Sequence, residues 1–251
     1  MEEGIDMRAH QSLIREKEGK DPIHDMFGAV LPDTVDLVSA KLRQIDFLKA
    51  KPIIERYEWI GTMPLPKSCR YIYGLYFDNI LGGVCIYVHP STRQFEKNHP
   101  RQVVQLNRGA CLPWTPKNTA SRLIGLSIKM LRQAGVRLII AYCTKEAGEF
   151  GTIYQSCNFI YTGETAPSKV YFLDGHWISE RTLADKTLWA KRKLVDEWTK
   201  IFKNLPSKTL QGKYRYILPI GSKKQNKEII ELYKYQSLPY PKRTVKNEAS
   251  G

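Results

Sequence analysis

Four side chains suited to acid–base or anion chemistry lie where strands are predicted to end and helices to begin: Arg108, Ser121, Glu149 and Tyr154. Arg108 falls at the end of an otherwise apolar strand, where burial of its charge would be costly. It is therefore expected either to pair with a carboxylate or to face an anionic ligand. Ser121, near a helix start, is expected to act either as a cap or as a donor to a ligand anion at the positive end of the helix.

Two of these residues share the segment Gly148–Gln155, in which two glycines and a threonine open a short helix. Tyr154 is either a packed core aromatic or a phenol that acts as an acid or hydrogen-bond donor in a cleft. Glu149 is either a base for an amine or a carboxylate that complements the helix dipole. Because ligands of α/β proteins bind where strands end and helices begin, we expect the functional site here.

Charge is distributed unevenly along the 251 residues. Residues 181–251 hold 17 Lys+Arg against 6 Asp+Glu, whereas residues 1–50 hold 7 against 10, and the net charge is +14. The basic residues of the last third that alternate with tyrosines include Lys213, Arg215, Lys223 and Lys224. This pattern suits contact with phosphates together with stacking on bases or sugars, so we predict contact with nucleic acid. The alternative is a solvated, solubilising surface.

Two aromatic residues, Tyr57 and Trp59, lie in a predicted loop. A flipped base could stack on such a loop, which makes both residues candidates for nucleic-acid contact. The alternative is that they cover the sheet.

Metal and membrane classes are not favoured. The five histidines show no metal-ligand spacing, and the five cysteines are odd in number, lack a CxxC motif and are expected to be reduced. No run approaches the roughly 20 apolar residues needed to span a bilayer, and the acidic start of the chain is unlike a signal peptide. We therefore expect a cytoplasmic protein.

Hydrophobic periodicity predicts an α/β domain: a helix, an antiparallel hairpin, a central strand and then alternating helices and strands. The predicted segments are a helix over 38–57 broken or kinked at Pro52, hairpin strands 70–76 and 81–89, a charged loop over 92–101, a strand over 102–112, a helix over 118–134, strands over 136–142, 158–161 and 169–173, a long helix over 183–204, a flexible link over 207–212, a strand over 214–219 and a helix over 226–233. We divide the chain into an N-terminal extension (1–40), a catalytic core (41–180) and a basic helical C-terminal extension that contacts nucleic acid (181–251).

The element order resembles that of the GNAT N-acyltransferase fold, which implies a central mixed sheet of six or seven strands flanked by helices. Three segments are also similar to the Mom family of phage DNA-modification proteins: Gln105–Arg108, Ala120–Arg122 and the GTIYQSCNF run that begins at Gly151. This GNAT-like family is linked to adenine N6 carbamoylmethylation, which protects phage DNA from restriction, so the resemblance implies double-stranded DNA as the partner. If a phage encodes this chain, the expected location is the host cytoplasm. The resemblance covers about residues 55–243 and implies functional roles for Arg108, Ser121 and Tyr154.

Two departures from these families concern the site. The Mom family's usual Tyr-x-Asp motif is Tyr142-Cys143-Thr144 here, so the expected carboxylate is absent unless Glu146 or Glu149 replaces it. The glycine-rich loop that cradles coenzyme A pyrophosphate in GNAT enzymes is replaced by residues 113–119, with two prolines and no glycine. The donor is therefore open, either acetyl-CoA or another donor of a small group. Its candidate ligands at the helix start are Asn118, Thr119, Ser121 and Arg122.

Three functions follow as hypotheses. The first is a transferase that places a carbamoylmethyl or acyl-like group on the N6 amine of adenine in DNA. The second is a GNAT N-acetyltransferase that uses acetyl-CoA on a protein, a tRNA or a small amine. The third, motivated by Thr144, is a GNAT-like module that binds DNA without catalysis.

Overall fold

The secondary structure is taken from a computed structural model, which describes residues 10–18, 26–28, 30–31, 35–183 and 203–242. The strands are Lys41–Gln44 (β1), Cys69–Phe77 (β2), Ile80–Val88 (β3), Val103–Cys111 (β4), Leu138–Cys143 (β5), Ile160–Glu164 (β6), Ser168–Leu173 (β7), His176–Ser179 (β8), Ser207–Leu210 (β9) and Tyr214–Pro219 (β10). The α-helices are His10–Glu18 (α1), Phe47–Tyr57 (α2), Arg93–Asn98 (α3), Thr119–Gln133 (α4), Thr152–Ser156 (α5), Glu180–Leu183 (α6) and Lys223–Tyr233 (α7). Within these ranges, no helix has both the length and the apolar character needed to cross a membrane.

Seven strands form one mixed sheet in the order β1-β2-β3-β4-β5-β10-β6. β4 and β5 are parallel, whereas β1, β2, β3 and β4 pair antiparallel in succession and β5 pairs antiparallel with β10. Helices cover both faces. The predicted α/β fold class, a central mixed sheet flanked by helices, is confirmed.

The core forms because alternate residues of β2 and β3 point to opposite faces of the sheet. On one face the buried residues include Ile72, Tyr76, Val84 and Ile86 of the strands with Ala50, Ile53 and Ile54 of α2. On the other face they include Tyr73, Leu75 and Tyr87 with Leu123, Ile124 and Leu131 of α4. The apolar stripe predicted for residues 118–134 is therefore the core face of α4.

Three predicted elements are wrong. The first half of the helix predicted over 38–57 is strand β1, which pairs with β2, and α2 begins only after Asp46, whose carboxylate accepts the Lys49 N–H at 2.8 Å. Pro52 lies inside α2 rather than ending it. The charged loop predicted over 92–101 contains α3, and the flexible link predicted over 207–212 contains β9. Pairing with residues distant in sequence decides these segments, and local composition does not reveal it.

The chain divides into two compact units, Met1–Gly163 with Tyr214–Gly251, and Glu164–Lys213. The second unit contains a three-stranded sheet in the order β8-β7-β9. Residues 184–202, most of the helix predicted over 183–204, lie outside the described residues. The basic last third of the chain supplies β10, which lies between β5 and β6 in the main sheet.

Candidate functional site

The site lies where the two parallel strands β4 and β5 part. Their pairing runs from Val103 with Leu138 to Leu106 with Ala141. Beyond that point, β4 continues to Cys111 paired only with β3, and β5 continues to Cys143 paired only with β10. The residues beyond the last pair of this ladder are therefore free to face a ligand rather than each other.

A β-bulge on β4 directs side chains at this point. Ile86 of β3 pairs with Arg108 and Tyr87 pairs with Leu106, so Asn107 is an extra residue on β4. Bulges re-aim side chains and are frequent beside functional sites. The Oδ1 atom of Asn107 is buried and has no hydrogen-bond partner among the described residues.

Arg108 lies on β4 just after the bulge. Its Nε donates to the carbonyl of Thr62 at 2.9 Å, and its Nη1 donates to the carbonyl of Asn107 at 2.9 Å. Nε also lies 3.6 Å from Oε2 of Glu58, and each of these two side chains is only 14% exposed. Of the two sequence-based alternatives, pairing with a carboxylate is therefore present in the structure.

Glu58, at the end of α2, is a residue that sequence reasoning missed as a functional candidate. Its Oε2 accepts the backbone N–H groups of Ile60 at 2.8 Å and Gly61 at 3.2 Å. Burial raises the pKa of Glu58, and the opposing charge of Arg108 and the two backbone donors lower it only in part. No local sequence pattern reveals this role, because the partner of Glu58 lies 50 positions further along the chain.

Glu149 supplies a second, partly buried carboxyl group beside the end of β5. The Cys143 thiol lies 3.6 Å from its Oε2 and donates to it. Burial raises the pKa of Glu149 to about 7, the Cys143 hydrogen bond opposes this rise, and the negative charge of Glu58 adds to it. Glu146 is exposed. Of the two acids that could replace the absent Asp, Glu149 is therefore the one that lies within the site.

Tyr154 completes a group of five residues, which we call the acid–arginine cluster: Glu58, Arg108, Cys143, Glu149 and Tyr154. Burial and the charges of Cys143, Glu149 and Glu58 hold the pKa of Tyr154 well above 10, so the phenol stays protonated near neutral pH. Its ring contacts those of Phe159 and Tyr216, with centroids 5.4 Å away in each case. Tyr154 is thus both a packed aromatic and a neutral donor electrostatically coupled to two acids.

The turn before Tyr154 is held tightly. Gly151 precedes α5 with a φ of 72°, and a Cβ there would lie 2.5 Å from the Tyr216 ring, so glycine is required. The Tyr216 hydroxyl donates to the carbonyl of Phe150 at 2.5 Å and accepts from Nε2 of Gln155 at 3.1 Å. Strand β10 therefore fixes the loop that carries Glu149.

The residues predicted to bind the donor surround the start of α4. Asn118 is the N-cap, with a φ of 66°, and its carbonyl accepts the Ser121 hydroxyl at 2.9 Å. The buried Thr119 hydroxyl donates to the carbonyl of Pro116 at 2.7 Å. Nη2 of Arg122 donates to the carbonyl of Val38 at 3.0 Å, while its buried Nε has no partner among the described residues. Ser121 is thus neither the cap nor a free donor in this structure.

The loop before α4 does not fit a coenzyme A pyrophosphate. Pro113 and Pro116 have no N–H, and the N–H groups of Thr115 and Thr119 already bond to the carbonyls of Leu112 and Pro116. A phosphate cradle needs successive backbone N–H groups that point at the anion.

Tyr57 and Trp59 differ in exposure. Tyr57, the last residue of α2, is 3% exposed. Its ring packs in the core, and its hydroxyl donates to Glu18 at 3.1 Å. The base-stacking role predicted for Tyr57 is therefore wrong for this structure, because neither ring face is open. Trp59 is 46% exposed and meets His10 edge-on at 5.4 Å, so it retains an accessible surface.

The predicted phosphate contacts fall into two kinds. Lys223 and Lys224 are exposed at the start of α7, after a capping box formed by Ser222 and Gln225. Arg215 is instead tied down: Nε and Nη2 donate to Oγ1 and the carbonyl of Thr162 at 2.9 and 2.7 Å. Its guanidinium also lies over the Tyr235 ring at 5.0 Å. The guanidinium of Arg215 therefore has a structural role, whereas the ammonium groups of the two lysines are accessible to a phosphate.

The second unit, which ends at Lys213, has an exposed aromatic surface that sequence reasoning missed. The Asp174–Gly175 turn, with both residues at positive φ, joins β7 and β8 and places Phe172 opposite Trp177. The two rings lie 5.2 Å apart, Trp177 is 44% exposed, and Lys208 Nζ lies 4.3 Å above the Trp177 ring. The Asp-Gly pair between two aromatic runs could have revealed this hairpin.

In the part of the chain that the structure describes, no three His, Cys, Asp or Glu side chains are grouped to hold a metal ion.

The family model described as the Mom protein family matches residues 39–242. No curated relative matches the chain. Among solved structures, a mutant of SpeG spermidine N-acetyltransferase from Vibrio cholerae aligns with 73% of this chain and 95% of that chain, at 10% identity and a TM-score of 0.45. An N-acetyltransferase from Staphylococcus aureus Mu50 aligns with 72% of this chain and 99% of that chain, at 12% identity and a TM-score of 0.40.

Proposed function

Because this chain belongs to the Mom protein family, we propose that it transfers a carbamoylmethyl-like group to the N6 amine of adenine in DNA and so protects the DNA from restriction. Family membership confirms the resemblance found in the sequence. The observation that carries the proposal is the acid–arginine cluster at the parting of β4 and β5. There a carboxyl group with a pKa of about 7 lies in one electrostatically coupled group with a paired arginine and a neutral phenol.

The chemistry needs a base matched to neutral pH. The lone pair of the exocyclic N6 amine is delocalised into the purine ring, so N6 is a weak nucleophile and must lose a proton as it reacts. We take the donor to be of the class X–CH2–CO–NH2. N6 forms a bond to the methylene carbon, the bond from carbon to X breaks, X leaves with the electron pair, and the N6 proton passes to the Glu149 carboxylate. A base with a pKa near the working pH is the most effective for such a transfer.

The other members of the cluster take supporting roles. Arg108 uses Nε and Nη1 for the carbonyls of Thr62 and Asn107, which leaves Nη2 to stabilise the negative charge that develops on X. The protonated hydroxyl of Tyr154 is a hydrogen-bond donor for the bound substrate. Glu58 orients the guanidinium and, by its charge, helps to keep the pKa of Glu149 near neutrality.

DNA is the partner that the charge distribution favours. Lys223 and Lys224 offer exposed ammonium groups to phosphates. In the second unit, residues 164–213 hold ten Lys+Arg against six Asp+Glu, and Trp177 with Lys208 forms an exposed aromatic–cation pair. Enzymes that act on a base extrude it from the duplex and read it by stacking, and the exposed ring of Trp59 is available for this purpose.

The alternative function is an N-acetyltransferase that uses acetyl-CoA on a protein, a tRNA or a small amine. The loop over residues 113–119 argues against it, because two of its residues lack an N–H and two more have theirs engaged. Tight binding of acetyl-CoA together with no affinity for DNA would favour this alternative over the proposal.

The test is mass spectrometry of nucleosides from DNA of cells that express the protein. The wild type should yield a modified deoxyadenosine whose added mass identifies the group. Glu149→Gln should abolish most of it, whereas Glu146→Gln, three positions earlier and exposed, should not. Unmodified nucleosides from the folded wild type would overturn the proposal.

A further inference from the structure

Beyond its pairing with β5, strand β4 has backbone groups that bond to a side chain instead of to another strand. Nε2 of Gln11 donates to the carbonyl of Gly109 at 3.1 Å, and the N–H of Cys111 donates to Oε1 of the same side chain at 3.4 Å. One primary amide thus pairs with a strand edge as a neighbouring strand would. We propose that this edge is the binding site for the primary amide of the transferred carbamoylmethyl group, and that Gln11 occupies it until the donor binds.

The edge selects chemically for an amide. It presents one acceptor, the Gly109 carbonyl, and one donor, the Cys111 N–H, to the same ligand group. An amide has a donor and an acceptor on one carbon and satisfies both. A carboxylate satisfies only the N–H and places negative charge against a carbonyl oxygen, and an amine satisfies only the carbonyl.

The proposal rests on the proposed function for the identity of the ligand. A carbamoylmethyl group ends in –CH2–CO–NH2, and the glutamine side chain ends in the same atoms. Gly109 is the residue next to Arg108, so a ligand that takes the place of Gln11 is bound directly beside the acid–arginine cluster. The Gly109 backbone is exposed and carries no side chain to obstruct that ligand.

The segment that carries Gln11 is suited to displacement. None of the residues of α1 is fully buried. Its contacts include Ile14, which packs against the buried cluster around α2, and the edge-on ring contact of His10 with Trp59. Arg15 donates to the Thr115 hydroxyl at 3.1 Å, and Glu18 accepts from Arg56 and from the Tyr57 hydroxyl, each at 3.1 Å. The helix also lies outside residues 39–242, which the family model matches. A helix without a fully buried residue can leave at modest cost when a ligand satisfies the strand edge in its place.

The direct test is a titration of the full chain with acetamide, monitored by nuclear magnetic resonance. Protein labelled with [15N]cysteine gives backbone signals for five cysteines only, and Cys111→Ser assigns the signal of Cys111. Acetamide should shift the Cys111 signal in the millimolar range expected for so small a ligand. Acetate, which has nearly the same shape, should not. A Cys111 signal unmoved by acetamide, or moved equally by acetate, would overturn the proposal.

Variants of Gln11 test whether this side chain competes for the edge. Gln11→Ala should lower the acetamide Kd at least about threefold, because the ligand no longer has to displace an internal amide. Ser12→Ala, at the adjacent exposed position, should leave the Kd unchanged. Gln11→Glu should also lower the Kd, because its carboxylate is repelled by the Gly109 carbonyl. Unchanged affinity in both Gln11 variants would show that Gln11 does not occupy the ligand's place.

The outcome is separable from that of the proposed function. A modified deoxyadenosine in cellular DNA together with an unresponsive Cys111 signal would overturn only the amide site. A Cys111 signal that responds to acetamide and not to acetate, in a protein that leaves DNA unmodified, would keep the amide site and overturn the proposed function.

Discussion

Glu58 and Arg108 are 50 positions apart in the chain, yet Oε2 of one lies 3.6 Å from Nε of the other in a setting where both side chains are 14% exposed. The pair joins the end of α2 to the bulged strand β4. It also links Arg108 to Glu149, because the charge of Glu58 contributes to the raised pKa of that second acid. One ion pair therefore has both a structural and an electrostatic role in the site.

Loss of Arg108 should destabilise the fold through the charge that it leaves behind. Arg108→Met should lower the free energy of unfolding by about 2–4 kcal/mol, because Glu58 remains buried without its cationic partner. Urea denaturation at pH 7 measures this value. In the double variant with Glu58→Gln, about 1 kcal/mol of the loss should be recovered relative to the sum of the single variants. Strict additivity of the two changes would show that the pair contributes no coupling.

Glu149 should control the pH dependence of the transfer reaction. A general base acts in its deprotonated form, so the rate should rise as the pH increases through about 7, the pKa of Glu149, and level off above it. Glu149→Gln should lower the rate by about 10²–10⁴-fold and remove this inflection. Single-turnover kinetics between pH 5 and 9 measure both effects, with Glu146→Gln as the exposed control. An inflection that persists in Glu149→Gln would assign the base to another group.

The same residue should reduce stability at alkaline pH. Because the pKa of Glu149 is raised in the folded state, the folded protein binds more protons than the unfolded chain between the usual glutamate pKa and about 7. Its contribution to stability is therefore present at low pH and is lost as the pH rises through that window. Glu149→Gln, which is neutral at every pH, should exceed the wild type in stability at pH 8 by up to about 3 kcal/mol and match it closely at low pH. Urea denaturation at the two pH values tests the sign, and a variant less stable than the wild type at pH 8 would contradict it.

The sequence predicts those parts of the molecule in which local pattern and tertiary pairing agree. The β2–β3 hairpin and α4 follow from strand alternation and helical spacing, and Glu149 and Tyr154 were found because they lie at a strand-to-helix junction. The helix predicted over the first half of 38–57 is wrong because Leu42 and its neighbours fit helical spacing equally well. Only pairing with β2 makes residues 41–44 a strand. The loop predicted over 92–101 is wrong because α3 is held by a contact with a residue distant in sequence. Nη2 of Arg70, a side chain that is 8% exposed, lies 2.7 Å from Glu96 of α3.

The site shows the same limit. Glu58 follows an unremarkable helix end, and its importance depends on Arg108, which only the folded chain brings near. Gln11 lies in a segment without a motif, and its amide acquires meaning only from the open edge of β4. Both residues contribute through contacts between segments far apart in sequence, which residue type and spacing do not encode.

The exposed aromatic hairpin of the second unit gives a final prediction about DNA. Trp177 presents a ring that is 44% exposed, with the Lys208 ammonium 4.3 Å above it, so a base or sugar that stacks there gains both apolar contact and a cation near its phosphate. Trp177→Ala should weaken binding of a short labelled duplex by about 5–150-fold, the equivalent of about 1–3 kcal/mol for one stacked base, as measured by fluorescence anisotropy. Lys208→Ala should reduce the slope of log K against log salt by about 1. Leu48→Ala, at another exposed apolar side chain, is the control and should bind as the wild type does. Because Trp177 is exposed, its replacement should leave the thermal midpoint nearly unchanged, and equal DNA affinity in a stable Trp177→Ala variant would remove this surface from the interface.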